Sequence, residues 1–239
     1  MNIAEKTLQL KQDFDDVYEA GKKAEVDNFT NDFQDDGNRT DYAYAWCRWN
    51  VEMFKRMAGK TVSTSNFEGA FYYTRMLIDL PAFLEEHRIT INVVNPTRYA
   101  YQRTFRGSQF TRVGVIDVSN SAQGTCQFSE TFSSAINLKT IDKIILNENG
   151  TDTWYDTAFS GCTALEDLTI EGVIGRNGFS VQSCKSLTHD SLMSILYALQ
   201  DKTGDTSGTI WVVIIGATNK EKLTEEELLI AYNKGWEVR

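Results

Sequence analysis

The sequence predicts an α+β protein: a short solenoid with one parallel strand per turn, a long N-terminal helix before it and an α/β cap after it. Three observations predict this. A spacing of large apolar, small, then Leu recurs through the middle of the chain. It is best formed in Ala158-Phe159-Ser160-Gly161-Cys162-Thr163-Ala164-Leu165-Glu166-Asp167-Leu168-Thr169-Ile170. A short β-branched run follows each copy, whereas the two ends of the chain carry helical periodicity instead. The expected segments are therefore 1–40, 41–187 and 188–239.

The first segment reads as helix to Phe33. Ile3, Leu10, Val17 and Ala24 fall seven apart, and Thr7, Phe14, Gly21 and Asn28 fill the alternate seam positions. Ile3, Leu10, Phe14 and Val17 are the candidate seam contacts. Such a helix fits an oligomeric stalk (a trimer among the candidates), a docking segment for a partner, or a surface helix packed on its own domain. Asp35-Asp36-Gly37-Asn38-Arg39-Thr40 ends it, with Gly37 suited to the left-handed closing conformation. The acidic run is a poor calcium loop: counted from Asp32, Gln34 stands where a carboxylate is wanted and Ala43 replaces the closing Glu.

Tyr42-Ala43-Tyr44-Ala45-Trp46-Cys47-Arg48-Trp49 is dense in aromatic rings, which either fill the first turn or anchor a ligand. The repeats follow. Phe71, Thr74, Leu77 and Leu80 form the first copy, and Phe105, Ser108 and Phe110 the second. Phe132, Ala135, Leu138 and Ile141 follow, then Phe159, Cys162, Leu165 and Leu168, and Val181, Cys184 and Leu187 close the series. The leading residues Phe71, Phe105, Phe132, Phe159 and Val181 are separated by 34, 27, 27 and 22 residues. Stacking explains the pattern, because no single turn can bury these side chains alone. The small column of Thr74, Ser108, Ala135, Cys162 and Cys184 lies where turns approach closely, so both cysteines read as small packing residues. Strands are expected at 89–94, 113–118, 141–146 and 168–170.

In the last segment Thr188 caps a helix over 189–201, with Leu192, Ile195, Leu196 and Leu199 on one face. Residues 209–215 form a strand. Thr224-Glu225-Glu226-Glu227 is a capping box that opens a further helix, which ends before Gly235, and Trp236-Glu237-Val238 returns as a strand.

On these residues the chain resembles the BspA-like, Treponema-type leucine-rich repeat of bacterial surface proteins. The match is specific at 158–170, good at 131–146 and loose at 67–118. The tail, through Glu171-Gly172-Val173-Ile174-Gly175, 187–193 and 222–227, is similar to the ending of repeat proteins from phages and prophages of Gram-positive bacteria. The opening, 18–23 and 36–40, is similar to the same group. The resemblance implies a curved solenoid used for binding, and in the phage relatives a virion structural component near the tail or its host-contacting parts. Turn lengths here are less regular than in long surface arrays, so the expected solenoid is compact and of few turns.

The 239 residues carry a net charge of −9, which argues against a nucleic-acid surface. The first 22 residues lack the apolar core of a signal peptide, and the longest apolar run, 210–215, is strand length. The expectation is synthesis in the host cytoplasm and residence in the virion, without membrane insertion. Cys47, Cys126, Cys162 and Cys184 show no C-x-x-C spacing, and the histidines are His87 and His189, so neither a metal site nor a cofactor is expected. No G-x-S-x-G elbow, P-loop or H-E-x-x-H occurs, and the pairs Glu85-Glu86 and Glu225-Glu226 read as solvated faces. The expected protein is thus non-enzymatic and meets other virion proteins through its N-terminal helix. The alternative is a host-receptor or cell-wall glycan recognition module, with Tyr99, Tyr101, Arg103 and Arg106 as candidate contacts.

Overall fold

In the computed structural model, residues 42–121, 127–148, 155 and 157–239 are described, all within a unit running from Thr40 to Arg239. The predicted N-terminal helix, with Ile3, Leu10, Phe14 and Val17, lies outside these residues. What they form is α+β, with small parallel sheets. The elements in order are α1 (Val51–Phe54), β1 (Thr61–Thr64), α2 (Leu80–Glu86), β2 (Thr90–Val93), β3 (Arg112–Asp117), β4 (Thr140–Ile145) and β5 (Asp167–Glu171). They continue with α3 (His189–Ala198), β6 (Trp211–Val213), α4 (Ala217–Lys220), α5 (Glu225–Asn233) and β7 (Trp236–Val238).

Five successive segments stack as tiers, led by Trp46, Phe71, Phe105, Phe132 and Phe159. Each leading residue up to Phe132 donates its N–H to the tier above: Trp46 to Ala70 O, Phe71 to Thr104 O, Phe105 to Thr131 O and Phe132 to Ala158 O, all at 2.8–2.9 Å. Beneath this ladder the leading rings pile on one another. Phe71, Phe105, Phe132 and Phe159 have successive centroid distances of 5.6, 5.4 and 5.5 Å, with their planes nearly parallel. A second column runs four residues earlier in each tier: Tyr42, Phe67, Tyr101, Phe128 and Tyr155. Stacked pairs of this kind contribute roughly 0.5–1.5 kcal/mol each beyond their buried area. The small column of Thr74, Ser108, Ala135, Cys162 and Cys184 is buried beside them. Cys162 Sγ donates to Phe132 O at 3.0 Å and Cys184 Sγ to Phe159 O at 3.7 Å, so each thiol bonds a carbonyl of the preceding tier.

The aromatic run at 42–49 supplies the first tier. Trp46 and Trp49 are buried, and the series extends one copy further towards the N-terminus than the Phe-led spacing implied. Leu77 is a correction. It is 63% exposed, and Met76, fully buried, takes the third core position. The physical reason is a shorter link in the early tiers: Phe71/Thr74/Met76 and Phe105/Ser108/Phe110 step three then two, whereas Phe132/Ala135/Leu138 and Phe159/Cys162/Leu165 step three then three. Phe132, Leu138, Leu165, Leu168 and Leu187 are buried, as are Phe71, Phe105 and Phe159.

The strands pair in parallel, as β1–β2 and as β3–β4–β5, leaving β2 and β3 unpaired with each other. The cause is α2. Its first turn is capped by Asp79, whose carboxylate accepts from Ala82 N at 3.0 Å, and Pro81 sits where a missing N–H costs nothing. This inserted turn of chain separates Asp79, which bridges to Arg112 at the start of β3, from β2, which goes to β1. It also accounts for the 34-residue spacing. Arg112 secures the junction with a two-pronged bond to Asp142 at 2.7 and 2.8 Å and a third to Asp79 at 3.3 Å.

At the other end the sheet is closed off. β5 has no further strand beside it. Instead Ser191 and Ser194 of α3 accept from Leu168 N and Ile170 N at 2.9 and 3.2 Å, replacing ladder bonds with hydroxyls. α3 ends at Ala198, three residues earlier than the sequence predicts, because Leu199 turns extended to bridge Ile174. β6 and β7 pair in parallel, and α5 opens on a complete capping box between Thr224 and Glu227. His189 Nε2 lies 2.8 Å from Glu227 Oε1 and ties α3 to α5.

Candidate functional site

Two lines of left-handed backbone run up the tiers, and they place the exposed side chains. Tyr44, Gly69, Arg103, Glu130 and Thr157 form the first line, with φ between 53° and 58°. Arg48, Tyr73, Gly107, Ser134 and Gly161 form the second, four residues later in each tier. Each rung donates to the next tier: Tyr44 N to Glu68 O, Gly69 N to Gln102 O and Arg103 N to Ser129 O on one line, with Arg48 N to Tyr72 O, Tyr73 N to Arg106 O and Gly107 N to Ser133 O on the other. A left-handed residue other than glycine costs roughly 1–2 kcal/mol. The gain is that residues far apart in sequence become neighbours on one face.

On that face the Tyr44 ring lies over Gly69 and the Tyr73 ring over Gly107. A Cβ at either glycine would overlap the ring, and both have positive φ, so glycine is required twice over. Tyr72 meets Tyr44 edge-on at 6.0 Å and Tyr73 at 4.6 Å, and the Arg106 guanidinium sits 5.9 Å above Tyr72. Arg103 bonds Glu130 at 3.1 Å, and Arg106 forms an ion pair with the same carboxylate. Burial pushes the Tyr44 phenol above its ordinary value, so it stays neutral and a hydrogen-bond donor.

The sequence candidates divide accordingly. Arg103 and Arg106 do come together, and both pair with the single carboxylate of Glu130, which offsets one of their two charges. Tyr99 is 45% exposed, with the Arg98 guanidinium 5.6 Å over its ring. Tyr101 is a correction: it is 5% exposed and packs in the core between Phe67 and Phe128, so its ring face is unavailable to a ligand. The sequence reading missed Tyr72, Tyr73, Arg48 and Arg75. The signal for them was available in the pattern of aromatic pairs four residues apart, which fixes the tier register and hence which residues between them point outward.

Below Tyr73 a pocket of about 350 Å³ is lined by Arg48, Tyr73, Thr74, Arg75, Gly107 and Gln109. A larger cleft of about 520 Å³ opens where β2 and β3 part, between Leu84 of α2, Ile91 and Val93 on one strand and Val113 and Val115 on the other.

Burial disfavours the nucleophilic thiolate at Cys162 and Cys184. Burial pushes Cys184 up to about 12 and Cys162 higher still, and burial also raises Cys47. Among the described residues no cluster of three or more His, Cys, Asp or Glu is placed to hold a metal ion, and no helix is long and apolar enough to cross a membrane. No match to this chain is found among protein-family models, curated proteins or solved structures.

Proposed function

We propose that this chain is a non-enzymatic phage virion structural protein, tail- or host-contact-associated, whose tiers are the turns of a short BspA-like leucine-rich-repeat solenoid. One observation carries the reading. Backbone ladders and two aromatic columns lock successive segments into a rigid stack whose outer residues are presented at fixed spacing. That is the construction of a scaffold for protein–protein contact. In this reading residues 1–40 attach the protein to other virion components or join copies of it, a trimer included. The test is light scattering on the full chain and on a version lacking residues 1–35, with immunodetection in purified particles. The full chain is expected to be oligomeric and particle-associated, and the shortened chain monomeric with an unchanged melting curve. A monomeric full chain absent from particles would refute the proposal.

A second reading, recognition of a host surface, is favoured by the face on which Tyr44 and Tyr73 are exposed, with Tyr72, Arg103 and Arg106 half-buried beside them. Rigid, amphipathic rings with guanidinia beside them are the composition of binding hot spots. The test is adsorption of the protein to host envelopes, compared with a Tyr44→Ala/Tyr73→Ala variant. Retained adsorption by that variant removes these rings from the contact.

A further inference from the structure

The two arginines on this face with no carboxylate partner among the described residues are Arg48 and Arg75. Arg103 and Arg106 share Glu130, Arg112 is held by Asp142 and Asp79, and Arg239 pairs with Glu237. Arg48 and Arg75 are both exposed and both line the 350 Å³ pocket, a volume within the ~300–1,000 Å³ range of ligand sites. The register explains how residues of two tiers converge there. Arg48 stands on the left-handed line directly before Tyr73, with its N–H on Tyr72 O, and Arg75 N donates to Trp49 O at 2.8 Å. No acidic residue lines the pocket, although the chain as a whole carries a net charge of −9. The remaining lining is suited to a polar ring. Tyr73 is held against Gly107, Gln109 is exposed, and Thr74 is fully buried with a hydroxyl that has no hydrogen-bond partner among the described residues.

We infer that this pocket binds an acidic saccharide, with Arg48 and Arg75 holding its oxyanion and the Tyr73 ring lying against the sugar. The guanidinium fork matches a carboxylate or an ester sulfate or phosphate with paired hydrogen bonds, and such charge-assisted bonds are about twice as strong as neutral ones. The aromatic face takes the C–H side of a pyranose, which is apolar, while Gln109 reaches the hydroxyls at its edge. A ligand that offers only charge leaves the ring unused, and a neutral sugar leaves two guanidinia without an anion. The inference deepens the host-recognition reading and rests on it for its biological setting, though the pocket can be tested alone.

The experiment is calorimetric titration of the full-length protein with four probes: a galacturonic acid hexamer, a sulfated oligosaccharide of similar length, a neutral hexamer of the same backbone, and inorganic phosphate. At least one acidic oligosaccharide is expected to bind, and the neutral hexamer and phosphate are not. Which acidic probe binds distinguishes carboxylate from sulfate chemistry. Arg48→Ala, Arg75→Ala and Tyr73→Ala should each weaken binding about tenfold or more, with Tyr73→Phe close to the unaltered protein and Arg48→Lys only partly restoring affinity. Because these side chains are exposed, unchanged melting curves certify that the variants are folded. No binding of either acidic probe, equal binding by the Arg48→Ala/Arg75→Ala protein, or phosphate binding as tightly as the oligosaccharides would each overturn the inference. The two readings separate cleanly. Envelope adsorption without hexamer binding leaves recognition standing and removes the pocket. Hexamer binding without adsorption does the reverse.

Discussion

The tiers led by Phe71 and Phe105 touch along their left-handed rungs and their rings but share almost no strand pairing. The tiers led by Phe105, Phe132 and Phe159 touch along the same rungs and also through a continuous three-stranded sheet. In the tiers led by Phe132 and Phe159 the link from leading ring to third core position is the same length, and small residues repeat at Ala135, Cys162 and Cys184. In the tiers led by Phe71 and Phe105 the link is shorter, the small position holds the hydroxyl residues Thr74 and Ser108, and α2 is inserted where a strand would otherwise run on. The contrast teaches that the ring columns and rungs suffice to hold tiers in register. The sheet is free to open between β2 and β3, where the larger cleft lies, and the same early tiers carry Tyr44, Tyr73, Arg48 and Arg75 on their surface.

The comparison is most severely tested by removing a ring from the regular half. Phe132 is fully buried between Phe105 and Phe159, so Phe132→Ala should cost about 3–5 kcal/mol, read by urea unfolding. A loss below about 1 kcal/mol would show that the column is not what holds these tiers. Next, Met76→Ala should cost about 2–5 kcal/mol, whereas Leu77→Ala should stay within about 0.5 kcal/mol. Reversed magnitudes in the same urea experiment would restore the longer spacing to the early tiers. Gly107→Ala combines a strained left-handed residue with overlap on a movable exposed ring, so its cost should be roughly 1–2 kcal/mol. Displacing Tyr73 should also weaken any acidic oligosaccharide that binds. A glycine variant that loses stability yet keeps full affinity would uncouple the ring from the pocket.

The smallest effect lies at the far end, in the His189–Glu227 pair. His189 is raised above its ordinary value, chiefly by its hydrogen bond to Glu227. Its contribution is therefore full below about pH 6.5 and lost as pH rises through the folded value. Glu227 is lowered, first by the Thr224 N–H and then by His189, so its contribution is present above about pH 4.3 and lost as pH falls through its folded value. The pair supports the α3–α5 contact best between those limits, and with His189 exposed and Glu227 only half-buried the effect is slight. Melting temperature measured from pH 5 to pH 8 should decline less in His189→Gln than in the unaltered protein. Parallel pH profiles would remove the pair from the stability of that contact.

Local signals were legible in the sequence. The capping box at Thr224 and Glu227 needs only four residues, and it is present in full. The leading-ring spacing and the small column were legible because every tier repeats them. The slip from Leu77 to Met76 was not, since either residue satisfies an apolar pattern and only the shorter link decides between them. The burial of Tyr101 follows from a second aromatic column whose phase is set by stacking rather than by the residue itself. Arg103 and Arg106 looked available because Glu130 is a full tier away in sequence, and the left-handed line that makes them neighbours has no compositional marker in Arg, Glu or Tyr. The break between β2 and β3 depends on which strand α2 returns to, which is a choice between distant partners.

The serine hydroxyls beneath β5 have a further consequence. A parallel stack has an open growing end, and any edge that still offers N–H and C=O groups invites another strand, including one from a second molecule. Ser191 and Ser194 occupy those N–H groups from a helix, so the sheet terminates at β5 by side-chain chemistry. With the Leu168 and Ile170 N–H groups already held by hydroxyls, that edge of β5 is a poor template for a strand from a second molecule.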